Sequence, residues 1–129
     1  MIDPTIQRLL EQAVDSSIKL QLLLMFYENS RFEGTALQVA ERIFRDIWSA
    51  REALRELAED GILAVSGTGE PVYRYRPAAE FREPIFRLVQ SYNEPLERDQ
   101  IQRTLREVAS YAPYRRASHG AFSFDRLSL

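Results

Sequence analysis

The stretch "TALQVAERIFRDIWSAREALRELAEDGIL", Thr35 to Leu63, decides the fold. Thr35 and Gln38 are spaced as a capping box, each side chain placed to take the backbone N–H of the other. A short helix is therefore expected there, with Leu37, Val39, Ala40 and Ile43 as its apolar positions. A second helix is expected from near Asp46, whose carboxylate can accept from the backbone of Ser49. It carries Ala50, Ala53, Leu54 and Leu57 at spacings of three and four, which gives it an apolar inner face. Gly61 suits the left-handed residue just past a helix end, and "ILAVSG" then reads as a strand from Ile62 to Ser66.

Working outward towards the carboxy terminus, "GTGEP" (Gly67 to Pro71) is a turn, and "VYRYR" (Val72 to Arg76) alternates as a half-buried strand does, so the two strands form a hairpin closed by Pro77. Two amphipathic segments follow. Ala79 to Tyr92 carries Phe81, Ile85, Phe86, Leu88 and Val89, and Leu96 to Ala112 carries Ile101, Leu105, Val108 and Ala112, spaced four, three and four as a packing seam. From Tyr114 no period is sustained, and residues 113–129 are expected as a loosely held tail. Towards the amino terminus, "ENSRFEG" (Glu28 to Gly34) reads as a loop. In Ile18 to Tyr27 only Lys19 and Gln21 are polar, which is too apolar for a helix with one solvated side, so something must cover both its faces. Asp15 and Ser16 offer the start of that helix; Asp3 before Pro4 starts a short one, residues 1–14, with Ile6, Leu9, Leu10 and Ala13 inward.

Composition narrows the function classes. A chain of 129 residues, 45% hydrophobic and 28% charged, is long enough to bury a core without disulfides. With no cysteine and one histidine, His119, it lacks the residues for a Cys/His zinc site, a thiol nucleophile or a nucleophile–base–orienter set, and no glycine-rich phosphate loop follows a strand. A non-enzyme without metal or cofactor is expected. The longest apolar run, Leu22 to Tyr27, is far short of the roughly 20 residues of a membrane span, and a cytoplasmic protein is the expectation. Net charge is −2, and the dominance of arginine over the single lysine, Lys19, reads as compositional bias without functional weight.

Helix, short helix, longer helix, then a two-stranded hairpin resembles the winged helix-turn-helix of bacterial transcriptional regulators of the MarR and ArsR type. "TALQVAERI" is similar to the second helix of such domains, with Thr35 as cap and Ala40 small enough for close helix crossing. "DIWSAREALRELAEDGIL" is similar to the third helix running into the first wing strand, with Leu54, Leu57, Gly61, Ile62 and Leu63 in place. The resemblance covers 15–77, with 78–112 left as C-terminal helices. Where such domains commonly carry a glycine and then an apolar residue between the two helices, this chain has Phe44 and Arg45, so a differently built corner or a longer turn is expected. The fold class implied is mainly α with a small β-hairpin: a winged helix-turn-helix core plus C-terminal amphipathic helices.

The resemblance implies a regulator that binds double-stranded DNA, because an α-helix fits the major groove with its early side chains towards base edges. The positions that map there are Ile47, Trp48, Arg51, Glu52 and Arg55, with Arg45 beside them. Gly67, Thr68 and Gly69 would make a thin wing tip, and Arg74 and Arg76 would flank it. Against this stand three alternatives. Arg51 and Arg55 can pair with Glu56 and Glu52 on a solvated face; Trp48 can be a packing anchor; and eight basic residues against ten acidic ones across 15–77, a local balance of −2, suit a winged-helix module for protein interaction or assembly. The apolar surplus implies a homodimer through the C-terminal helices, with Phe81, Ile85, Val89, Ile101, Leu105 and Val108 as interface candidates, unless those helices fold back within one chain. A ligand pocket near Phe26, Tyr27, Phe86 and Tyr92 is a further alternative.

Overall fold

Four polar side chains set where the first four helices begin. Asp3 accepts the Thr5 N–H at 2.8 Å, Ser16 the Lys19 N–H at 3.3 Å, Thr35 the Gln38 N–H at 3.3 Å and Asp46 the Ser49 N–H at 2.8 Å. Each satisfies a backbone donor that the first turn of a helix leaves without a partner. In the computed structural model, which describes residues 2–127 and side chains over residues 2–114, they open α1 (Pro4–Gln12), α2 (Ser17–Glu28), α3 (Ala36–Ile43) and α4 (Ile47–Glu59). Three short strands, β1 (Glu33–Gly34), β2 (Leu63–Ser66) and β3 (Val72–Tyr75), precede α5 (Ala79–Tyr92) and α6 (Pro95–Leu127). The chain is mainly helical, with a small antiparallel sheet that contains the β2–β3 hairpin.

The sheet order is β1-β3-β2. Val65 faces Tyr73 and Leu63 faces Tyr75 across the hairpin, while on the other side of β3 Gly34 faces Tyr73 and Glu33 faces Arg74. The strand β1 corrects the loop expected at Glu28 to Gly34. Two residues carry no alternation to read, and their strand character comes entirely from hydrogen bonding to β3, some forty positions later in the chain.

The corner between α3 and α4 also differs from expectation. Phe44 adopts the left-handed conformation, φ 58° and ψ 45°; its N–H donates to the Glu41 carbonyl at 3.4 Å and the Arg45 N–H to that of Ala40 at 3.0 Å. At the end of α4 the same pair of bonds recurs, Gly61 N–H to Ala58 and Ile62 N–H to Leu57, with Gly61 at φ 92°. Both helices thus stop by one motif. It is built on glycine at Gly61 and on phenylalanine at Phe44, so the corner keeps the usual backbone course with an unusual residue.

The core runs through α2. Ile18, Leu20, Leu22, Leu23 and Phe26 are buried, in a cluster that joins α1 (Ile6, Leu9, Leu10), α3 (Val39, Ala40, Ile43), α4 (Ala50, Leu54, Leu57), α5 (Ile85, Leu88) and α6 (Ile101, Leu105, Val108). α4, α3, β3 and α6 all pack on α2, which answers why it tolerates apolar side chains on nearly every side: its own chain covers them. Lys19, apolar in neither chemistry nor name, is also buried, as is Asp15. The α6 helix continues to Leu127, beyond the Ala112 expected as its end; His119 lies outside the residues whose side chains are described. Among the described residues no helix is long and apolar enough to cross a membrane.

Candidate nucleic-acid interface

The outward side of α4 begins at the Asp46 cap. The backbone N–H of Ser49 holds the Asp46 carboxyl below its usual range, which keeps it charged and fixes the first turn. Ala50, Ala53, Leu54 and Leu57 face the core and Trp48, Arg51, Glu52 and Arg55 face away, which is the division that a 3.6-residue period imposes. Ile47 is half-buried.

Trp48 is 73% exposed, which corrects the packing-anchor alternative. Its ring lies under the Arg51 guanidinium, 5.4 Å from the centroid, a cation–π arrangement that orders both side chains without neutralising the charge. The Arg45 guanidinium reaches back to the Gln21 side chain on α2 at 3.3 Å. Among the described residues neither Arg45 nor Arg51 makes an ion pair.

Arg55 behaves differently. It bonds Glu52 on one side and Glu59 on the other, and these carboxylates, Glu52 foremost, raise its pKa while Arg55 holds that of Glu52 down. The intrahelical Glu52–Arg55 pair weighed from the sequence is present, and two carboxylates cancel the charge that a phosphate would need. The companion pair expected between Arg51 and Glu56 does not form: Glu56 gives one oxygen to Lys19, and its other lies 3.8 Å from Arg55. Sequence spacing placed Arg51 and Arg55 on one face; tertiary packing separates them into a cation free of carboxylates and one that is neutralised.

The Lys19 cluster is the feature that the sequence reading missed. Its ammonium, 3% exposed, bonds Asp15 at 2.6 Å and also Glu56, and so ties the start of α2 to the middle of α4. A lone lysine in an apolar run was the available signal, since a charge is seldom buried unless paired. Beside it opens a cleft of about 630 Å³ between α2, α4 and α6, bounded by Ile18, Trp48, Glu52, Ala112 and Pro113.

Gly67, Thr68 and Gly69 are exposed at the hairpin tip, with Gly67 at φ 101°. Arg74 is half-buried on β3 and Arg76, just past its end, is exposed, while Tyr73 points into the core. Of the six proposed interface residues, Ile85, Ile101, Leu105 and Val108 are at most 2% exposed in the chain's own core, and Phe81 and Val89 are half-buried against it. This is a correction: α1, packed on both α5 and α6, covers the surface that the sequence left for a second copy. The aromatic set suggested as a pocket is dispersed. Phe26 packs on Phe32, Tyr27 on Tyr75, Tyr92 bonds Gln102 through its hydroxyl, and Phe86 is exposed. Among the described residues no group of three or more acidic or histidine side chains is placed to hold a metal ion. Compared with protein-family models, with curated proteins and with solved structures, the chain matches none.

Proposed function

We propose that this chain is a DNA-binding regulator of the winged helix-turn-helix type, in which α2, α3 and α4 form the three-helix unit, α4 enters the major groove and the β2–β3 hairpin is the wing. The observation that carries this reading is the order α2, β1, α3, α4, β2, β3 with the sheet closed as β1-β3-β2, together with an α4 whose first two turns present Trp48 and Arg51 outward. The contact set is Arg45, Trp48 and Arg51 on the helical side and Gly67 to Gly69, Arg74 and Arg76 on the wing. Arg55 and Glu52 are left out because they satisfy each other. A two-copy form would use the apolar side chains that α5 and α6 leave exposed, Phe86, Leu96 and Tyr111, since the buried seam is already occupied.

A fluorescence-anisotropy titration of duplex DNA at low salt tests this reading. Binding is expected, with a salt slope of roughly 0.9 per phosphate neutralised. Arg45→Ala with Arg51→Ala is expected to weaken it and Arg55→Ala to leave it unaltered. If no duplex is bound, the reading fails. The second reading, a winged-helix module for protein assembly, is favoured by the neutralised Arg55 and by the exposure of Phe44 and Trp48 at the α3–α4 corner; it predicts that the Arg45 and Arg51 variants change nothing in that titration.

A further inference from the structure

Phe44 is the only described residue other than glycine with positive φ, and it is 91% exposed. The left-handed region crowds any residue with a Cβ, and a side chain standing in water gains nothing from packing to offset that. The chain builds the same stop at the end of α4 with Gly61, so the fold alone does not call for a phenyl ring at this corner. A strained, solvent-facing aromatic directs attention to a contact outside the chain. Trp48, in the first turn of α4, is the second exposed ring here, and Arg45 and Arg51 accompany the pair without making ion pairs among the described residues. Asp46, exposed and held charged by the Ser49 N–H, is the one carboxylate between the two rings, and the Arg45 and Arg51 guanidiniums outnumber it two to one. The corner therefore offers apolar rings amid a net positive charge.

We propose that Phe44 and Trp48 read thymine methyl groups in the major groove, so that the preferred duplex carries thymine at the positions these rings touch. This rests on the DNA-binding reading above. The thymine methyl is the apolar group that base edges present in that groove, and the flanking phosphates are the anions that Arg45 and Arg51 complement. A rim of carboxylates would have pointed to a basic protein instead.

The experiment selects preferred duplexes from a random pool with the full chain at low salt, then replaces their thymines one at a time by deoxyuridine, which removes the methyl alone. Each contacted methyl is expected to be worth about fourfold in affinity, the equivalent of burying one such carbon group. In a variant carrying Phe44→Ala and Trp48→Ala, thymine and uracil duplexes are expected to bind equally, whereas Arg51→Ala lowers affinity and keeps the thymine preference. Phe44→Gly, which deletes the ring while suiting the left-handed backbone, separates loss of the contact from loss of the corner. Selected duplexes that bind the wild-type chain equally with uracil overturn this inference and leave the DNA-binding reading standing; absence of any duplex binding overturns both.

Discussion

Lys19→Met is expected to destabilise the protein by about 3 kcal/mol, towards the lower end of the roughly 3–5 kcal/mol seen when one partner of a buried ion cluster is removed. The Lys19 side chain is 3% exposed and that of Asp15 equally so, which places this pair far from the exposed bridges whose median contribution is about 0–1 kcal/mol. Glu56 retains 17% exposure and lies 3.8 Å from Arg55, so water and that guanidinium relieve part of its charge when the ammonium is gone, which argues for the lower end. The methionine stem replaces most of the lysine methylenes, so little of the loss comes from a cavity. For a chain of this size the melting temperature should fall by about 10 °C. Urea unfolding followed by circular dichroism measures the change, and a double-mutant cycle with Glu56→Gln isolates the pairwise part. A loss below about 1 kcal/mol would mean that the ammonium is solvated, and its role as a tie between α2 and α4 would have to be discarded.

Three further outcomes follow from the same geometry. Phe44→Gly should raise stability by about 1 kcal/mol in urea unfolding, since glycine removes the left-handed strain and the lost ring packs on nothing; a decrease would show that the ring is held by its own chain. Arg55→Ala should change stability by less than about 0.5 kcal/mol despite losing three ion pairs, because the guanidinium, Glu52 and Glu59 are half-exposed or more and the third contact, to Glu56, is long at 3.8 Å. Burial, with Tyr27 adding to it, pushes the Tyr75 hydroxyl up to about 12 from an ordinary value near 10, so the unfolded chain gives up this proton first. Stability should be fully present below pH 10 and decline as pH rises towards 12, and Tyr75→Phe should flatten that decline in urea titrations between pH 9 and 11.5.

Local rules carried the sequence reading a long way. The caps at Asp3, Thr35 and Asp46, the stop at Gly61 and the hairpin around Gly67 to Pro71 depend on side chains within four or five residues of the backbone they satisfy, so pattern and spacing suffice to place them. The division of α4 into a buried Leu54–Leu57 side and an outward Trp48–Arg51 side follows in the same way from helical period.

Long-range pairing decided the rest. Strand β1 exists only because β3 returns beside it, and no two-residue segment announces such a partner. Whether Ile85, Ile101, Leu105 and Val108 meet another copy or their own chain turned on α1 lying across α5 and α6, a placement that periodicity does not encode because an apolar seam is the same whatever fills it. Lys19, Asp15 and Glu56 are ordinary charges until folding brings α4 against the start of α2. With Glu56 shared between Lys19 and Arg55, Arg51 is left without its expected carboxylate and stacks on Trp48, while Arg55 also holds Glu52 and Glu59. The candidate surface of this protein is thus shaped by an ion cluster buried beneath it, since each carboxylate can serve only the cations that the fold brings within reach.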